Sequence, residues 1–254
     1  MAKTAAAIRR ELRSLANPDI AAHSQRFFKT GKGEYGEGDR FLGIRVPLIR
    51  RQVRQHRDAP LHVIMSILRS RWHEERLFAV LAMVDRYARG DDNTQKIIFD
   101  NYLANLRYVN NWDLVDSSAH LIVGPWLESG SRKRLYRMAK SRNLWERRVA
   151  VMSTYHFIRQ NDFSDTLAIA ELLLHDEHDL IHKAVGWMLR ETGKRDKKVE
   201  VEFLQGFYKE MPRTMLRYAI EKGPEHDRTR GLQGQGGGWV RRGGGAGGGR
   251  CGVG

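Results

Sequence analysis

Along most of the chain, apolar residues recur at i, i+3, i+4 and i+7, and that period predicts amphipathic helices. It is clear in LHVIMSILRS, EERLFAVLAMVDRY, KIIFDNYLANL, RKRLYRMAKS and DTLAIAELLLH. Turn signals separate these segments at Gly90-Asp91-Asp92-Asn93, at Gly130-Ser131 and at Gly193. Strand-like alternation is confined to a short piece near Arg40 to Ile44.

The predicted helices resemble one another in pairs. HEERLFAVLAMV, NNWDLVDSSAHLIV, NLWERRVAVMSTY, DLIHKAVGWMLRE and EMPRTMLRYAIEK align on Glu74, Trp112, Trp145, Ile181 and Pro212, in steps of 38, 33, 36 and 31 residues. Two-helix units of that length belong to HEAT and armadillo solenoids. The expected fold is therefore all-α: a HEAT-like repeat superhelix, or α-solenoid, of paired antiparallel helices. Such stacking presents one extended concave face, which the charge and the resemblance described below make the expected DNA-binding face. A non-repetitive helical bundle is the alternative.

Charge narrows the class. The 254 residues carry a formal net charge of +14, with a pI near 10.1, which favours a polyanionic partner, nucleic acid before membrane. Residues 225–254 hold five Arg, one Glu and one Asp, so +11 remains without them. The expected organisation is one repeat domain over 1–228 and a Gly/Arg-rich disordered tail over 229–254, too poor in apolar residues to order itself. The tail reads as an RGG-like nucleic-acid segment or as an unrelated extension. No apolar run is long enough to span a membrane, and Met1 to Ile8 contains no apolar core of a signal peptide. Cys251 is the only cysteine, which excludes an intrachain disulfide and fits a reducing cytoplasm.

Three motifs invite chemistry and fail on context. Gly31-Lys32-Gly33-Glu34-Tyr35-Gly36-Glu37-Gly38 contains G-x-G-x-x-G, but no strand precedes it and Glu34, Glu37 and Asp39 would repel a phosphate. It reads as a flexible loop, with Lys32 able to touch a nucleic-acid backbone. His175, His178 and His182 would share a helix face, but Asp176 to Asp179 reads as a turn carrying an N-cap, so no metal site is expected. His73-Glu74-Glu75-Arg76-Leu77 lacks the second histidine of a zincin and reads as a helix start.

Trp112 and Asp116 lie side by side on one predicted helix, as do Trp145 with Arg148 and Trp187 with Arg190 on two others. A carboxylate among tryptophans in a basic groove needs a reason. One is structural: Asp116 pairs with Arg148 and the tryptophans are core. The other is catalytic.

The strings NNWDLVDSSA, NLWERR and HKAVGWMLRE resemble the bacterial DNA-alkylation repair glycosylases of the AlkD type, in the family's order and at about its spacing. FFKTGKGEYGEGDRFLGIRVP resembles their entry segment and EMPRTMLRYAIEK their last repeat, so the likeness covers about residues 5–228. It implies a monofunctional, cofactor-free glycosylase of base excision repair that hydrolyses the N-glycosidic bond of cationic N3- or N7-alkylated purines in duplex DNA. The product is an abasic site, and the base is not flipped out. The match puts the catalytic aspartate on Asp116, the active-site tryptophans on Trp112 and Trp187, and the lesion-side arginine on Arg148, where it would hold a phosphate. An N-terminal active-site tyrosine falls on Phe27, next to Phe28, so its hydroxyl is absent; the Gly31–Asp39 loop is longer than in the best-known form. Members are expected to act as cytoplasmic, nucleoid-associated monomers.

A cationic base is already a good leaving group, so the chemistry needs a fixed carboxylate for the oxocarbenium-like sugar rather than a general acid. Asp116 would supply it and position the water, while Trp112 and Trp187 would lay π faces on the sugar. Arg45, Arg50, Arg51, Arg54, Lys183, Arg190, Lys194, Arg213 and Arg217 are candidate phosphate contacts. The competing classes are a non-catalytic binder of damaged or branched DNA and a protein-binding scaffold. Each phosphate contact releases counterions, so duplex affinity should fall by orders of magnitude between about 50 and 200 mM salt in a titration. A flat salt dependence would rule out this basic surface as the binding site.

Overall fold

The computed structural model describes residues 4–221. The tail expected over 229–254 lies outside the described residues. By its internal contacts the chain divides into two compact units, Met1–Gln160 and Asn161–Gly254. All regular secondary structure among the described residues is helical, in successive packed helices of the α-solenoid kind.

In the first unit the helices are α1 (Ala5–Arg13), α2 (Pro18–Phe27), α3 (Val46–Gln55), α4 (Leu61–Leu68), α5 (His73–Arg89) and α6 (Asp92–Ala104). They are followed by α7 (Trp112–Asp116), α8 (Ala119–Glu128), α9 (Lys133–Ala139), α10 (Leu144–Ser153) and α11 (Tyr155–Ile158). The centre is α5, which packs against α3, α4, α6, α7 and α8. Every residue from His73 to Met83 is buried, as expected of a helix covered on all sides. Short polar residues start the helices around it. Asp91 accepts from the Thr94 amide to open α6, and the Asn111 and Asn143 side chains cap α7 and α10.

The segment read as one helix, NNWDLVDSSAHLIV, is broken into α7 and α8 at Ser117–Ser118. Ser118 turns its hydroxyl onto the Leu114 carbonyl at 2.6 Å, and its amide bonds back only to Val115. A serine that satisfies the backbone locally competes with the helical ladder. Asp116 therefore ends a five-residue helix rather than sitting inside a long one. The strand expected at Arg40 to Ile44 reduces to one isolated bridge, Arg40 to Trp72. The amides of Leu42, Gly43 and Ile44 are taken instead by the Glu74 carboxylate, at 2.7–3.2 Å.

The second unit contains α12 (Ser164–Leu172), α13 (Asp179–Arg195), α14 (Lys197–Phe207) and α15 (Arg213–Ile220), with α13 packed on the other three. His178 is the N-cap of α13, its Nδ1 accepting from the Leu180 amide, so His175 and His178 are off the helix. Gly193 is not a turn: α13 runs through it, and a Cβ there would lie 2.0 Å from Glu200 Oε2. Its missing side chain makes room for α14.

Gly186 does the same against α15. A Cβ at that position would lie 2.3 Å from the Met215 carbonyl oxygen and 2.6 Å from Tyr218 Cβ. On an open helix, Gly→Ala stabilises by about 1 kcal/mol. Here backbone would have to move, so Gly186→Ala should destabilise by about 1–3 kcal/mol in urea denaturation. A gain in stability would show that α15 does not approach α13 this closely.

Candidate active site

Four consecutive charged residues open α5, and all four are buried. His73 stands between two carboxylates, with Nδ1 2.9 Å from Asp39 and Nε2 2.7 Å from Asp113. Both ring nitrogens meet acceptors, so both must carry protons. Burial opposes that charge, but the charge and hydrogen bond of Asp113, then of Asp39, outweigh it and lift the imidazole from 6.5 to about 9. The Arg76 guanidinium reaches both oxygens of Asp39 at 2.8 Å. Burial would raise the Asp39 carboxyl, yet His73 and Arg76 hold it below its ordinary value. Glu75 takes Arg13 at 2.7 Å and Ser70 at 2.6 Å, tying α1 to α5.

Across this network sits α7. Its Asn111 cap is fully buried and donates to Asp39 at 3.4 Å. Trp112 opens the helix with Phe28 stacked on it at 5.1 Å, and Phe28 also lies against His73. Phe27 meets Trp112 edge-on at 5.9 Å and is 57% exposed. Asp116, one turn after Trp112, binds Arg148 of α10 through a two-pronged pair: Nε to Oδ1 at 2.8 Å and Nη2 to Oδ2 at 2.7 Å. The side chains are 14% exposed for Asp116 and 5% for Arg148, so the negative end of the pair is the more accessible. Burial pushes the Asp116 carboxyl above its ordinary value, against the pull of Arg148 and with help from Asp113.

The structure thus gathers Trp112, Asp116, Arg148 and Phe27 in the first unit. The pairing of Arg148 with Asp116 is the structural alternative that the sequence offered; against the phosphate contact implied by the resemblance, two of its guanidinium nitrogens are committed to Asp116 and its side chain is buried. Trp187 stands on α13 of the second unit, its indole N–H donating to Glu191 at 3.0 Å. Of the expected phosphate contacts, Arg45, Arg50, Arg51 and Arg54 at α3 are exposed, as are Arg213 and Arg217 on α15. Lys183 is paired with Asp179 and Lys194 with Glu191, both one turn away on α13, and Arg190 with Glu221, which lies 31 residues on.

The chain matches the model of the family described as DNA alkylation repair enzyme over residues 8–222. It belongs to that family. Among solved structures it is similar to one described as a predicted DNA alkylation repair enzyme from Enterococcus faecalis, at 18% identity and a TM-score of 0.64. The match covers 83% of this chain and 97% of that one. No curated protein matches.

Sequence reading of this DNA alkylation repair family member missed the group around His73. It took Asp39 for a loop charge that repels phosphate, and HEER only for a helix start. The available signal was the position of HEER, since the repeat alignment places its four charges where α5 meets its neighbours. Glu34 and Glu37 stay exposed but bend back onto their own loop, accepting from the Gly31 and Gly33 amides at 2.8 Å.

A histidine whose folded value is raised stabilises fully below its unfolded value and loses that contribution as pH rises through the folded value. The protein should therefore lose stability between pH 6.5 and about 9, by at most on the order of 3 kcal/mol. Thermal melts of wild type and His73→Gln across that range check it. Parallel curves would show that His73 is not the group responsible.

Proposed function

We propose that this DNA alkylation repair enzyme is a monofunctional glycosylase. It hydrolyses the N-glycosidic bond of cationic N3- or N7-alkylated purines in duplex DNA and leaves an abasic site without flipping the base. The observation that carries this is the geometry of the Asp116–Arg148 pair: a nearly buried carboxylate, fixed at both oxygens, more accessible than its arginine and with aromatic rings one turn away.

The alkylated base departs with the bonding electrons and becomes neutral, so no proton has to be delivered to it. Positive charge then develops on the deoxyribose. A preoriented carboxylate stabilises that charge without reorganising during the reaction. Each Asp116 oxygen keeps a second lone pair, enough to orient the water that attacks the sugar. Arg148 is a positioning residue here, holding the carboxylate rather than a phosphate. Trp112, backed by Phe28, and exposed Phe27 offer aromatic surface to the sugar and neighbouring base. The α3 arginines supply phosphate contacts in this scheme, and the protein acts as a cytoplasmic monomer. Trp187 remains an expectation from sequence, since the scheme uses residues of the first unit.

A second reading has its own support. An arginine gripping both oxygens is also how a purely structural pair looks, and the protein would then bind damaged DNA without excising the base.

The test is release of 7-methylguanine from a duplex oligonucleotide under single-turnover conditions. Wild type should generate abasic sites, and Asp116→Asn should slow release about 100-fold or more. A melt of the variant is needed beside it, because Arg148 loses a charged partner. Tight binding without release by wild type favours the second reading, and equal release by both proteins removes Asp116 from the chemistry.

Ionised Asp116 is the active form, and its carboxyl is raised. The rate should therefore fall on acidification at a pH above the ordinary carboxyl value of 3.8. A pH–rate profile flat down to that value would contradict the assignment.

A further inference from the structure

The loop between Phe28 and Arg40 is built rather than slack. Gly33 and Gly38 have φ of +79° and +80°, a region open to glycine. Gly36 presses on the preceding chain, where a Cβ would lie 2.5 Å from the Phe28 carbonyl oxygen, and its amide donates to Lys29. The two glutamates cap the loop's own amides, and Asp39 anchors its end on His73 and Arg76. One aromatic side chain extends from it. Tyr35 is half-buried, with its ring edge-on to Trp145 at a centroid distance of 6.3 Å.

That contact places the loop. Trp145 lies one helical turn before Arg148 on α10, as Trp112 lies one turn before Asp116 on α7. Phe28, at the loop's start, stacks on Trp112, and Tyr35, at its middle, meets Trp145. The loop therefore reaches from the first turn of one helix to the first turn of the other, and these are the two helices that carry Asp116 and Arg148.

We infer that Tyr35 is a specificity-determining residue: its ring, braced on Trp145, bounds the space beside Asp116 and selects nucleotides with a small alkyl group. The assignment rests on the base-release reading proposed above. A loop that served only to cover α2 and α5 would have no need to carry an aromatic ring to α10. The ring, not the hydroxyl, provides the boundary.

The experiment compares wild type, Tyr35→Ala and Tyr35→Phe on duplexes carrying 7-methylguanine or 7-benzylguanine. It adds binding to a duplex whose 7-methylguanine is locked by a 2′-fluoro sugar, measured against undamaged duplex. Tyr35→Ala should lower the rate ratio of methyl to benzyl release at least tenfold and cut the preference for the locked lesion by a similar factor. Tyr35→Phe should stay within about threefold of wild type, and both variants should melt like it. An unchanged ratio, or equal loss on both lesions, overturns the role of Tyr35. If wild type releases neither base, the base-release reading fails. In that case an unchanged preference for the locked lesion in Tyr35→Ala overturns the Tyr35 assignment as well, and a lost preference upholds Tyr35 as the residue that senses the lesion.

Discussion

The first unit depends on one constraint: the charges buried at the start of α5 must satisfy one another. Desolvating an ion costs several kcal/mol, and removing one member of a buried pair typically costs about 3–5 kcal/mol. His73, Glu74, Glu75 and Arg76 are all buried, and each binds a piece of chain outside α5. His73 takes the loop end and α7, Arg76 takes the loop end, Glu74 takes three amides after the loop, and Glu75 takes α1. No piece can shift without stranding a charge. Apolar packing alone tolerates sliding far better, so this network fixes the register of segments that contain little regular structure.

The same logic sets the electrostatics of the site. Asp113 and Asp116 lie three apart on α7, near enough for the charge of one to raise the carboxyl of the other. Each is given a cation from a different helix: His73 of α5 for Asp113, Arg148 of α10 for Asp116. A helix of five residues has almost no stability of its own. Here it is held by ion pairs at both ends of one turn and by Phe28 against Trp112. Neutralising Asp113 through His73 also leaves the ionisation of Asp116 governed chiefly by its own burial and by Arg148.

What the sequence shows and what it hides follow from range. Hydrophobic period is local, and it placed the helices. The five aligned positions Glu74, Trp112, Trp145, Ile181 and Pro212 all fall at the starts of α5, α7, α10, α13 and α15. Three local errors share a cause, because each turned on a side-chain contact that the apolar period does not encode. Ser118 breaks a helix through its hydroxyl, Gly193 accommodates Glu200 instead of ending a helix, and Glu74 replaces a strand ladder. At the site, Trp112 and Asp116 were legible as neighbours on one turn. The direction of Arg148 was not, since a guanidinium can grip a phosphate or a carboxylate and only the fold decides which is in reach. The Tyr35–Trp145 contact joins residues 110 apart in the chain, and no spacing rule reaches that far.

An arginine-bound carboxylate looks too satisfied to help a reaction, but its orientation matters more than its net charge. A dipole acts on a nearby charge through its nearer end, and in this pair the more accessible end is the negative one. In bulk water a carboxylate would have to reorient, and shed solvent, to meet charge growing on a sugar. Fixed at both oxygens, Asp116 has made that rearrangement during folding. Arg148 reduces the field at the sugar but also keeps the carboxylate ionised against burial that favours its neutral form. Without the arginine, the Asp116 carboxylate would exert a stronger field when ionised, yet would be ionised less often. The pair trades field strength for constancy, which suits a substrate whose base is already a cation and needs only modest help to leave.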